Sequence, residues 1–564
     1  MNDKKFKAVI CGINAKYIHS SLAPWCLLAG VKEYAENTDA VVVEGTINEK
    51  EEEIKKRILK ENPTAVGFGC YIWNIKRVLS IAKSIREEKP SVKIILGGPE
   101  VSFNATEILS ENAFVDYVIS GQGEKAFAKL LVSVSKGEEP SLNEVSFRTE
   151  EGINEGSYQI FEGDLSPYTE EYFEKLSGRI AYIESSRGCP YSCSFCLSGR
   201  DKKVRFFDLE RIKKEILLLA SSGTQTVKFV DRTFNCNKTR ALSVLSFIKD
   251  NYGSEIPNSV CFHFEIAADI LDGDFLSLVS QMPSGSVQFE VGIQSFNEKT
   301  LDSINRKTNL LKLSGNVEKL VSFANCHIHT DLIAGLPFED YTLFKDSFNK
   351  AYGLYANMLQ LGFLKVLHGS AVEKDKDKYS LVFGKEPPYE VIETPWLSKE
   401  DLKRLHLVED ALERLYNSGR FKRTLSYVLS VCGKTPFDLF EGMGVFTDRK
   451  NVKRPALDLY TGWAFEYFST LEGVCGKTLR DKMLEDRIST NTSGVIPDCL
   501  KVYDEKLSVY KRKLSYKYPL AKGEKRSVGV LYSENTVLFC DYTEKDRVSG
   551  EYTVKKVSLT EFEI

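Results

Sequence analysis

Three cysteines carry the clearest chemical signal in this chain of 564 residues. Cys189, Cys193 and Cys196 lie in the segment SSRGCPYSCSFC, where their spacing is C-x3-C-x2-C. A four-iron cluster normally binds four thiolates. Three thiolates leave one iron with an open coordination position, which is a general property of catalytic metal sites. The spacing therefore predicts an iron–sulfur cluster that binds a further ligand at its fourth iron.

The same cysteines have two other interpretations, a zinc site and a chance grouping. Zinc usually binds a fourth Cys or His, often supplied by a second paired motif. No such motif lies nearby in the sequence, although Cys236, Cys261 or His263 could approach the cysteines in space. The segment directly follows a predicted strand, at the end where α/β barrels place their chemistry, and this position favours the cluster.

The segment resembles the signature of the radical S-adenosylmethionine (radical SAM) superfamily, including the aromatic Phe195 before the last cysteine. The resemblance implies a [4Fe–4S] cluster whose unique iron binds the amino and carboxylate groups of S-adenosylmethionine. An electron from the cluster would then break the bond between sulfur and C5′, which gives methionine and a 5′-deoxyadenosyl radical. That radical would abstract hydrogen from an unactivated carbon.

Polar residues at the ends of later strands also resemble the superfamily. They lie in the segments KFVDRTFN, FHFEIAAD, QFEVGIQSF and DLIAGLP, and in the helix that follows the third of these. The resemblance implies that the first segment lies near the methionine amino group and the last near the adenine. Charged residues at strand ends are often only solvated, so each also has a structural interpretation. The predicted cofactor contacts are Asp231, Arg232, Glu265, Glu290, Gln294, Ser295, Arg306, Asp331 and Gly335.

Glycines and aromatic residues follow the strands of the N-terminal region. In an open α/β sheet, ligands bind beyond the carboxyl ends of the strands. Glycines there allow the backbone to approach a ligand closely, and aromatic rings cover an apolar ring system. Ordinary βα turns would explain the same glycines, but their number along one edge favours a planar cofactor. The residues predicted to contact it are Asn14, Tyr17, His19, Gly69, Tyr71, Trp73, Gly97, Gly98, Gly121 and Gly123.

The two regions together resemble the cobalamin-binding radical SAM proteins, and NAKYIHSSL, GGPE and SGQGE resemble the N-terminal domain of that family. The resemblance covers about residues 1–375 and implies that the sheet holds the corrin ring of cobalamin. The remainder resembles an uncharacterised C-terminal domain of some members. The family's cobalt-binding motif D-x-H-x-x-G is absent, which favours a surface or packing role for His19. The lower face of cobalt would be left to water, to a side chain such as Tyr71 or Trp73, or to nothing.

The hydrophobic pattern predicts an α/β fold with three domains and a linker. Residues 1–137 alternate strands and helices in five units, which predicts a doubly wound, flavodoxin-like or Rossmann-like parallel sheet. Residues 138–179 are rich in Gly, Pro, Ser and acidic residues and predict a linker. Residues 180–374 contain six βα units, which predict a partial (β/α)6 barrel of the TIM type. Residues 375–564 predict a mainly helical C-terminal domain with a short β tail.

Composition and charge limit the classes of protein to which the chain belongs. The formal net charge of −3 gives no reason to expect binding to bulk nucleic acid or to an anionic membrane. The sequence has no apolar run of about 18 residues and no signal-peptide pattern, so a membrane span is not expected. Thirteen cysteines without a secretory signal predict free thiols and metal ligands in the cytoplasm.

These features predict a cobalamin-dependent radical SAM enzyme, in which the cofactors carry the difficult chemistry and the protein positions them. The resemblance implies methylation of an unactivated carbon by methylcobalamin, or another radical modification, with a second S-adenosylmethionine remethylating cob(I)alamin. A low-potential ferredoxin or flavodoxin is the expected electron donor. The sequence does not identify the substrate, and a small molecule, a peptide and RNA all remain open.

Two other functions compete with this interpretation. Cys11, Cys26 and Cys70 could bind a second cluster, as in methylthiotransferases, which insert sulfur. Against this, Cys26 lies in a predicted helix, and buried cysteines are common as small hydrophobic residues. The chain could instead be a non-catalytic sensor that binds cobalamin or a flavin, but a binding module has no need of an open iron.

Overall fold

The computed structural model of the chain describes residues 6–501 and 506–562. The chain divides into two compact units, each built from several segments of the sequence. The first unit comprises Met1–Ile266, Ile304–Lys307 and Leu364–Ile392. The second unit comprises Ala267–Ser303, Thr308–Phe363 and Glu393–Ile564.

A seven-stranded sheet forms the N-terminal part of the first unit, in the order β2-β1-β3-β4-β5-β6-β7. The first five strands are parallel, and the last two are antiparallel to their neighbours. The strands are β1 (Lys7–Asn14), β2 (Asp39–Thr46), β3 (Ala65–Gly69), β4 (Lys93–Gly97), β5 (Tyr117–Ile119), β6 (Val145–Thr149) and β7 (Gly152–Asn154).

Helices connect the parallel strands, as the alternating apolar and amphipathic pattern predicted. Seven of the eight residues of β1 are buried, because a parallel strand is covered on both faces and must be apolar throughout. The predicted doubly wound sheet is confirmed. Its helices are α1 (Ala23–Tyr34), α2 (Glu51–Lys60), α3 (Ile75–Glu88), α4 (Ala105–Glu111) and α5 (Glu124–Lys136).

The segment predicted to be a linker has more regular structure than its composition indicated. Strands β6 and β7 form a hairpin that extends the sheet at β5, and helix α6 (Glu170–Leu176) follows. In β6 the apolar residues Val145 and Phe147 alternate with polar ones, and the first three residues of the strand are buried while Arg148 and Thr149 are exposed. The alternation covers only five residues, too few to outweigh the surrounding polar composition.

Three parallel strands, β8, β11 and β12, form the second sheet region of the first unit. A short antiparallel pair, β9 with β10, lies between β8 and β11 in the sequence. The strands are β8 (Ala181–Ile183), β9 (Ser186–Arg187), β10 (Arg205–Phe206), β11 (Thr226–Phe229), β12 (Cys261–Ile266), and the later pair β16 (Val382–Phe383) and β17 (Val391–Glu393). The helices are α7 (Leu209–Ala220), α8 (Lys238–Asn251) and α13 (Ala371–Lys374).

Three further parallel strands belong to the second unit, and their register places Glu290 opposite His329. The six strands expected from the six βα units predicted for residues 180–374 are therefore present. The strands of the second unit are β13 (Val287–Gln294), β14 (His327–Ala334) and β15 (Met358–Phe363), and its first helices are α9 (Gly273–Ser280), α10 (Glu298–Ser303), α11 (Leu310–Ser322) and α12 (Tyr341–Tyr352).

The C-terminal region is mainly helical and ends in an antiparallel three-stranded sheet, as predicted. Its strands are β18 (Ser527–Leu531), β19 (Thr536–Cys540) and β20 (Lys555–Ser558). A π-helical turn, Glu413–Asn417, follows the first helix. The helices are α14 (Lys399–Leu412), α15 (Lys422–Val431), α16 (Pro436–Asp448), α17 (Leu457–Ser469), α18 (Gly476–Thr490) and α19 (Leu507–Lys517).

Helix α18 is rich in charged residues and is nevertheless buried over most of its length. Its charges have partners within the second unit: Arg423 lies 3.2 Å from Asp486, and Lys556 lies 3.1 Å from Glu485. Buried charges are tolerated when they are paired in this way. Among the described residues, no helix is both long enough and apolar enough to cross a membrane.

Candidate cofactor site

The three cysteines lie in a loop, residues 188–204, that is closed at its base by a short strand pair. Arg187 on β9 pairs with Arg205 on β10, and Ser186 pairs with Phe206. We call this segment the cysteine loop. Its two ends are held together by the antiparallel ladder, so the loop is a closed structural unit at the end of the second sheet region.

Asp231, which follows β11, anchors the start of the cysteine loop. Its carboxylate accepts hydrogen bonds from the Ser185 backbone N–H at 2.9 Å, from Ser185 Oγ at 2.7 Å and from Ser186 Oγ at 2.6 Å. Asp231 is only 2% exposed, and burial raises its pKa while the three donors lower it. A buried carboxylate that accepts several hydrogen bonds is a rigid support. The cofactor contact predicted for Asp231 remains a prediction, and its visible contacts hold the loop.

A glycine allows the cysteine loop to turn directly before its first cysteine. Gly188 has φ +93°, and a Cβ atom there would lie 2.5 Å from the carbonyl oxygen of Lys203. Both the backbone angle and the space exclude a side chain at this position. The N–H of Cys189 donates to the carbonyl of Asp201 at 3.0 Å, so the two ends of the loop are in direct contact.

The thiols of the loop lie in a largely buried, partly polar environment. Cys189 and Cys193 are buried and Cys196 is half-buried. Burial raises the pKa of the Cys193 thiol, and the Arg306 guanidinium, whose Nη1 lies 3.5 Å from Cys193 Sγ, lowers it. A neighbouring guanidinium favours the thiolate that metal binding requires. Arg306, predicted as a cofactor contact, therefore lies beside a predicted cluster ligand.

The spacing of the three thiols distinguishes a cluster from a zinc site. Zinc–sulfur bonds of about 2.3 Å in a tetrahedron bring the sulfurs within roughly 3.8 Å of one another. Across residues 6–501 and 506–562, the single group of three candidate ligands within 4.8 Å consists of Glu290, His329 and Asp331 and includes no cysteine. In a four-iron cluster each thiolate binds a different iron, so the sulfurs need not converge on one point. The donor set therefore fits a cluster better than a single zinc ion.

A cavity of about 730 Å³ in the first unit is lined both by the N-terminal strand ends and by the cysteine loop. The loop contributes Gly188, Leu197 and Ser198 to its wall. Cavities of this size are typical of small-molecule and cofactor sites. The predicted residues that line it are Asn14, His19, Gly69, Tyr71, Trp73, Gly97, Gly98, Gly121, Gly123 and Arg232.

Tyr17 is the one predicted residue of the N-terminal turns that does not line this cavity. Its side chain is 72% exposed, and its ring lies 5.5 Å from the Arg179 guanidinium. The sequence placed it in the correct loop, but the direction of a side chain in a loop does not follow a periodic pattern. Its predicted cofactor contact remains a prediction.

Two aromatic rings form a flat apolar surface in the cavity wall. The rings of Tyr71 and Trp73 are stacked, with centroids 4.4 Å apart and planes inclined by 8°. The indole N–H of Trp73 donates to the carbonyl of Ile13 at 3.3 Å, which fixes the pair against β1. Burial raises the pKa of Tyr71 to about 12, so its hydroxyl is neutral at physiological pH. Such a surface suits the face of a planar ring system.

Two of the glycines also pack closely against the chain itself, and their predicted cofactor contact remains a prediction. Gly98 and Gly121 have φ +107° and +100°, and a Cβ atom would lie 2.6 Å from the Cys70 carbonyl oxygen and 2.2 Å from the Gln159 carbonyl oxygen. These glycines are required by close packing of the chain against itself. At Gly97, by contrast, a Cβ atom would lie 3.8 Å from Ile119, an ordinary van der Waals distance, so close packing does not require glycine there.

His19 lines the cavity through a contact with the second sheet region of the same unit. Its Nδ1 lies 2.7 Å from the hydroxyl of Tyr182. Burial lowers the pKa of His19, and the charges of Lys16, Lys228 and Arg179 lower it further. The hydrogen bond to Tyr182 is a packing contact of the kind that the sequence favoured for this histidine.

Cys11, Cys26 and Cys70 are less favoured as ligands of a second cluster than as small buried residues. Cys11 and Cys70 are fully buried, and burial raises the pKa of Cys11 to about 12 and that of Cys70 as well. A thiol that resists deprotonation is a poor metal ligand. Cys26 lies within α1, where burial also raises its pKa. The role of small hydrophobic residues fits Cys11 on β1 and Cys70 directly after β3 better.

The remaining predicted residues of the second unit lie on β13 and β14 or directly after them. Ser295 Oγ donates to Glu339 Oε1 at 2.5 Å, and burial raises the pKa of Glu339 to about 7. Gln294 has φ +73° at an irregularity in the pairing of β13 with β14. Glu290 and Asp331 lie beside His329, whose Nε2 is 3.0 Å from Asp331 Oδ1. Gly335 follows β14 with φ +89°, and Glu265 is half-buried on β12 of the first unit.

Arg187 is the most informative residue that the sequence analysis missed. It lies directly before Gly188 and pairs with Glu124 at 2.6 Å and Glu184 at 2.8 Å. It also donates to Gln122 Oε1 at 3.2 Å. Gln122 and Glu124 belong to the SGQGE turn of the N-terminal sheet, so Arg187 ties this turn to the cysteine loop. The available signal was the charge complementarity between SGQGE and SSRGC, which has meaning only once the two segments are adjacent.

Three family models match separate parts of the chain. A B12 binding domain matches residues 9–131, the Radical SAM superfamily matches residues 183–351, and a protein family of unknown function, DUF4080, matches residues 377–524. The first range contains strands β2 to β5 and most of β1, and the second contains the cysteine loop.

Curated relatives match the chain at low identity. It is 26% identical over 314 residues to the 2-(S-pantetheinyl)-carbapenam-3-carboxylate methyltransferase of Streptantibioticus cattleyicolor, which covers 50% of this chain and 44% of that protein. It is 25% identical over 269 residues to the hopanoid C-3 methylase of Methylococcus capsulatus, which covers 44% of this chain and 49% of that protein. The chain therefore spans about half the length of these curated relatives.

Solved structures share the fold. The cobalamin-dependent S-adenosylmethionine radical enzyme OxsB, with aqua-cobalamin bound, has a TM-score of 0.57 at 12% identity over 91% of this chain and 84% of that chain. The radical S-adenosylmethionine methyltransferase TsrM from Kitasatospora setae, with cobalamin and a [4Fe–4S] cluster bound, has a TM-score of 0.53 at 16% identity. The match covers 68% of this chain and 78% of that chain. The chain thus contains, in order, a region that matches the B12 binding domain, a region that matches the Radical SAM superfamily and a region that matches DUF4080.

Proposed function

We propose that this chain is a cobalamin-dependent radical SAM enzyme that methylates an unactivated carbon or modifies it by another radical step. The shared cavity carries the proposal, because its wall combines the cysteine loop with the turns of the B12-binding domain. The relatives support it, since two proteins similar to this chain are named as a methyltransferase and a methylase.

The residues present suit the two cofactors that this function requires. Cys189, Cys193 and Cys196 would hold the [4Fe–4S] cluster, which when bound supplies the electron that cleaves S-adenosylmethionine. The cavity residues of the N-terminal turns would hold cobalamin, which supplies the transferable methyl group. Tyr71 and Trp73 would line the part of the cavity that holds this cofactor.

The chain's own residues would orient these groups and control charge. Asp231 fixes the cysteine loop through Ser185 and Ser186, and Arg306 favours the thiolate form of Cys193. The stacked pair of Tyr71 and Trp73 offers an apolar face to a planar ring. The other proposed contacts, with S-adenosylmethionine, are Arg232, Glu265, Glu290, Gln294, Ser295, Asp331 and Gly335.

The proposal also covers the domain limits, the electron donor and the location of the protein. We place the cobalamin-binding domain at 1–137, the linker at 138–179, the barrel at 180–374 and the C-terminal domain at 375–564. A ferredoxin or flavodoxin would supply electrons of low potential. The thirteen free cysteines support a cytoplasmic location, where thiols stay reduced.

Reductive cleavage of S-adenosylmethionine tests the proposed activity. Anaerobically reconstituted protein with dithionite should form 5′-deoxyadenosine, and the variant C189A/C193A/C196A should form none. A matched control, C432A/C475A/C499A, removes three cysteines outside the loop and should retain the activity. Equal product from the loop variant and the unaltered protein would refute the cluster assignment, and no product from the unaltered protein would favour a sensor.

A further inference from the structure

The returning end of the cysteine loop lies against its first cysteine. The Cys189 N–H donates to the Asp201 carbonyl at 3.0 Å, and the Lys203 carbonyl oxygen faces Gly188 at the 2.5 Å spacing that excludes a Cβ atom. Residues 200–203 also follow Cys196 by only four to seven positions. The backbone of this segment is thus fixed beside the predicted cluster ligands at both ends of the loop.

The same segment presents positive charge to solvent. Residues 200–205, RDKKVR, contain four basic residues and one acidic residue, in a chain whose net charge is −3. Asp201 is paired with Arg205 at 2.9 Å, and the Arg200 guanidinium covers the Phe103 ring at 4.3 Å. Lys202 and Lys203 are exposed, and neither forms an ion pair with a residue that the structure describes. Their charges are therefore available to a partner.

We propose that Lys202 and Lys203 form the docking surface for an acidic, low-potential electron-carrier protein of the flavin or iron–sulfur type. The proposal rests on the proposed function, since it supplies the electron that the cluster needs. One electron leaves the reduced carrier and enters the centre bound by the three thiolates, and no bond is made or broken at the surface contact. Complementary charge raises the rate at which two proteins associate, and added salt reduces this effect.

The position of the lysines distinguishes them from ordinary surface charge. The Lys203 carbonyl lies against Gly188, and the carbonyl of Asp201, directly before Lys202, accepts the Cys189 N–H, so a carrier bound there would lie next to the cysteine loop. One alternative is that the two lysines are strongly hydrated and bind no partner. A second alternative is that they bind a polyanion such as RNA. Both alternatives predict different results in the experiment below.

Charge reversal tests the proposal in the full-length, reconstituted protein. The variant K202E/K203E is compared with K83E/K129E, which reverses two exposed lysines on α3 and α5 and makes the same change in net charge. The first measurement is the Kd for oxidised flavodoxin by calorimetry at low and high ionic strength. The second is the rate of cluster bleaching after mixing with reduced flavodoxin, compared with the rate under photoreduced, uncharged 5-deazariboflavin.

We expect K202E/K203E to lose only its binding to the carrier protein and its reduction by that protein. At low salt, K202E/K203E should bind flavodoxin about tenfold or more weakly and be reduced by it more slowly by a similar factor, with a flatter salt dependence. Reduction by deazariboflavin should be unchanged, and the control should match the unaltered protein. Equal binding by all three proteins, or an equal loss in the control, would overturn the proposal. Binding of a single-stranded RNA oligomer that depends on these lysines, without flavodoxin binding, would overturn it too.

The two proposals fail in different ways. If the docking surface is wrong, deazariboflavin and flavodoxin reduce K202E/K203E as fast as they reduce the unaltered protein. If the proposed function is wrong, the unaltered protein forms no 5′-deoxyadenosine even when its cluster is reduced chemically.

Discussion

Single residues hold the cysteine loop to its surroundings through a few buried charges. Asp231 holds the start of the loop through two serines, and Arg187 links it to Glu124 and Glu184. Removing one partner of a buried ion pair is costly, because the other charge is left without compensation. Supporting side chains of this kind set the geometry of the groups that they hold.

We expect the substitution Arg187→Gln to destabilise the first unit and weaken cobalamin binding. The buried carboxylate of Glu124 and the half-buried one of Glu184 lose their cation, and breaking a buried pair costs about 3–5 kcal/mol. Cobalamin affinity, measured by absorbance titration, should fall about tenfold or more, since Gln122 and Glu124 line the cavity.

Two further variants separate the charge of Arg187 from its shape. Arg187→Lys keeps the charge but loses the forked contact, so it should recover stability only in part. The double variant R187Q/E124Q removes one orphaned charge and should be more stable than R187Q alone. If R187Q has the same unfolding midpoint and the same cobalamin affinity as the unaltered protein, the contact between the SGQGE turn and the cysteine loop has no energetic importance.

At the scale of elements, short pieces of structure do the positioning. The two-residue strands β9 and β10 close the cysteine loop, and β6 with β7 extends the N-terminal sheet at one edge. Such short strands depend on a partner strand for their stability. Their presence was not predictable from a periodic pattern, because two to five residues do not establish one.

The turn at Gly188 gives the sharpest prediction at this scale. Gly188→Ala requires a non-glycine residue at φ +93° and places a methyl group against the Lys203 carbonyl, so the loop must shift. We expect the variant to lose more than half of its iron after reconstitution, as measured by iron analysis and the cluster absorbance.

A glycine in open space provides the control. Gly315 lies in α11, and a Cβ atom there would meet nothing within 4 Å. Gly315→Ala should keep its iron and gain about 0.5–1 kcal/mol of stability, because alanine favours the helix. Full iron retention in Gly188→Ala would show that the turn is not required for cluster assembly.

At the scale of the whole molecule, the chain joins three kinds of region along one sequence. The family models for B12 binding, the radical SAM superfamily and DUF4080 follow one another without overlap. In the DUF4080 region, the charges buried along α18 are paired within the second unit, for example Arg423 with Asp486. That pairing identifies them as structural, so the substrate is better sought at the cavity of the first unit.

The metal content of anaerobically purified protein tests the whole assembly at once. We expect about four irons and about one cobalt per chain, measured by plasma emission spectroscopy. About eight irons per chain would support the alternative of a second cluster at Cys11, Cys26 and Cys70. If the protein contains iron but no cobalt after growth and reconstitution with cobalamin, the N-terminal cavity binds another planar ligand instead.

The sequence alone determined the features that depend on neighbouring residues. The spacing of Cys189, Cys193 and Cys196 is a local property, so the cluster could be predicted without the fold. The alternation of apolar strands with amphipathic helices is local as well, and it predicted the parallel sheets and the helical C-terminal region. Burial of a strand on both faces leaves a continuous apolar run that is visible in any sequence.

Only the tertiary structure decided which distant residues meet. Arg187 contacts Glu124 across 63 positions of the chain, and Asp231 reaches Ser185 across 46. Whether such residues touch depends on strand order and on the direction of side chains in irregular turns, and neither leaves a periodic signal. The same reason explains why Tyr17 points to solvent while His19, two residues later, lines the cavity.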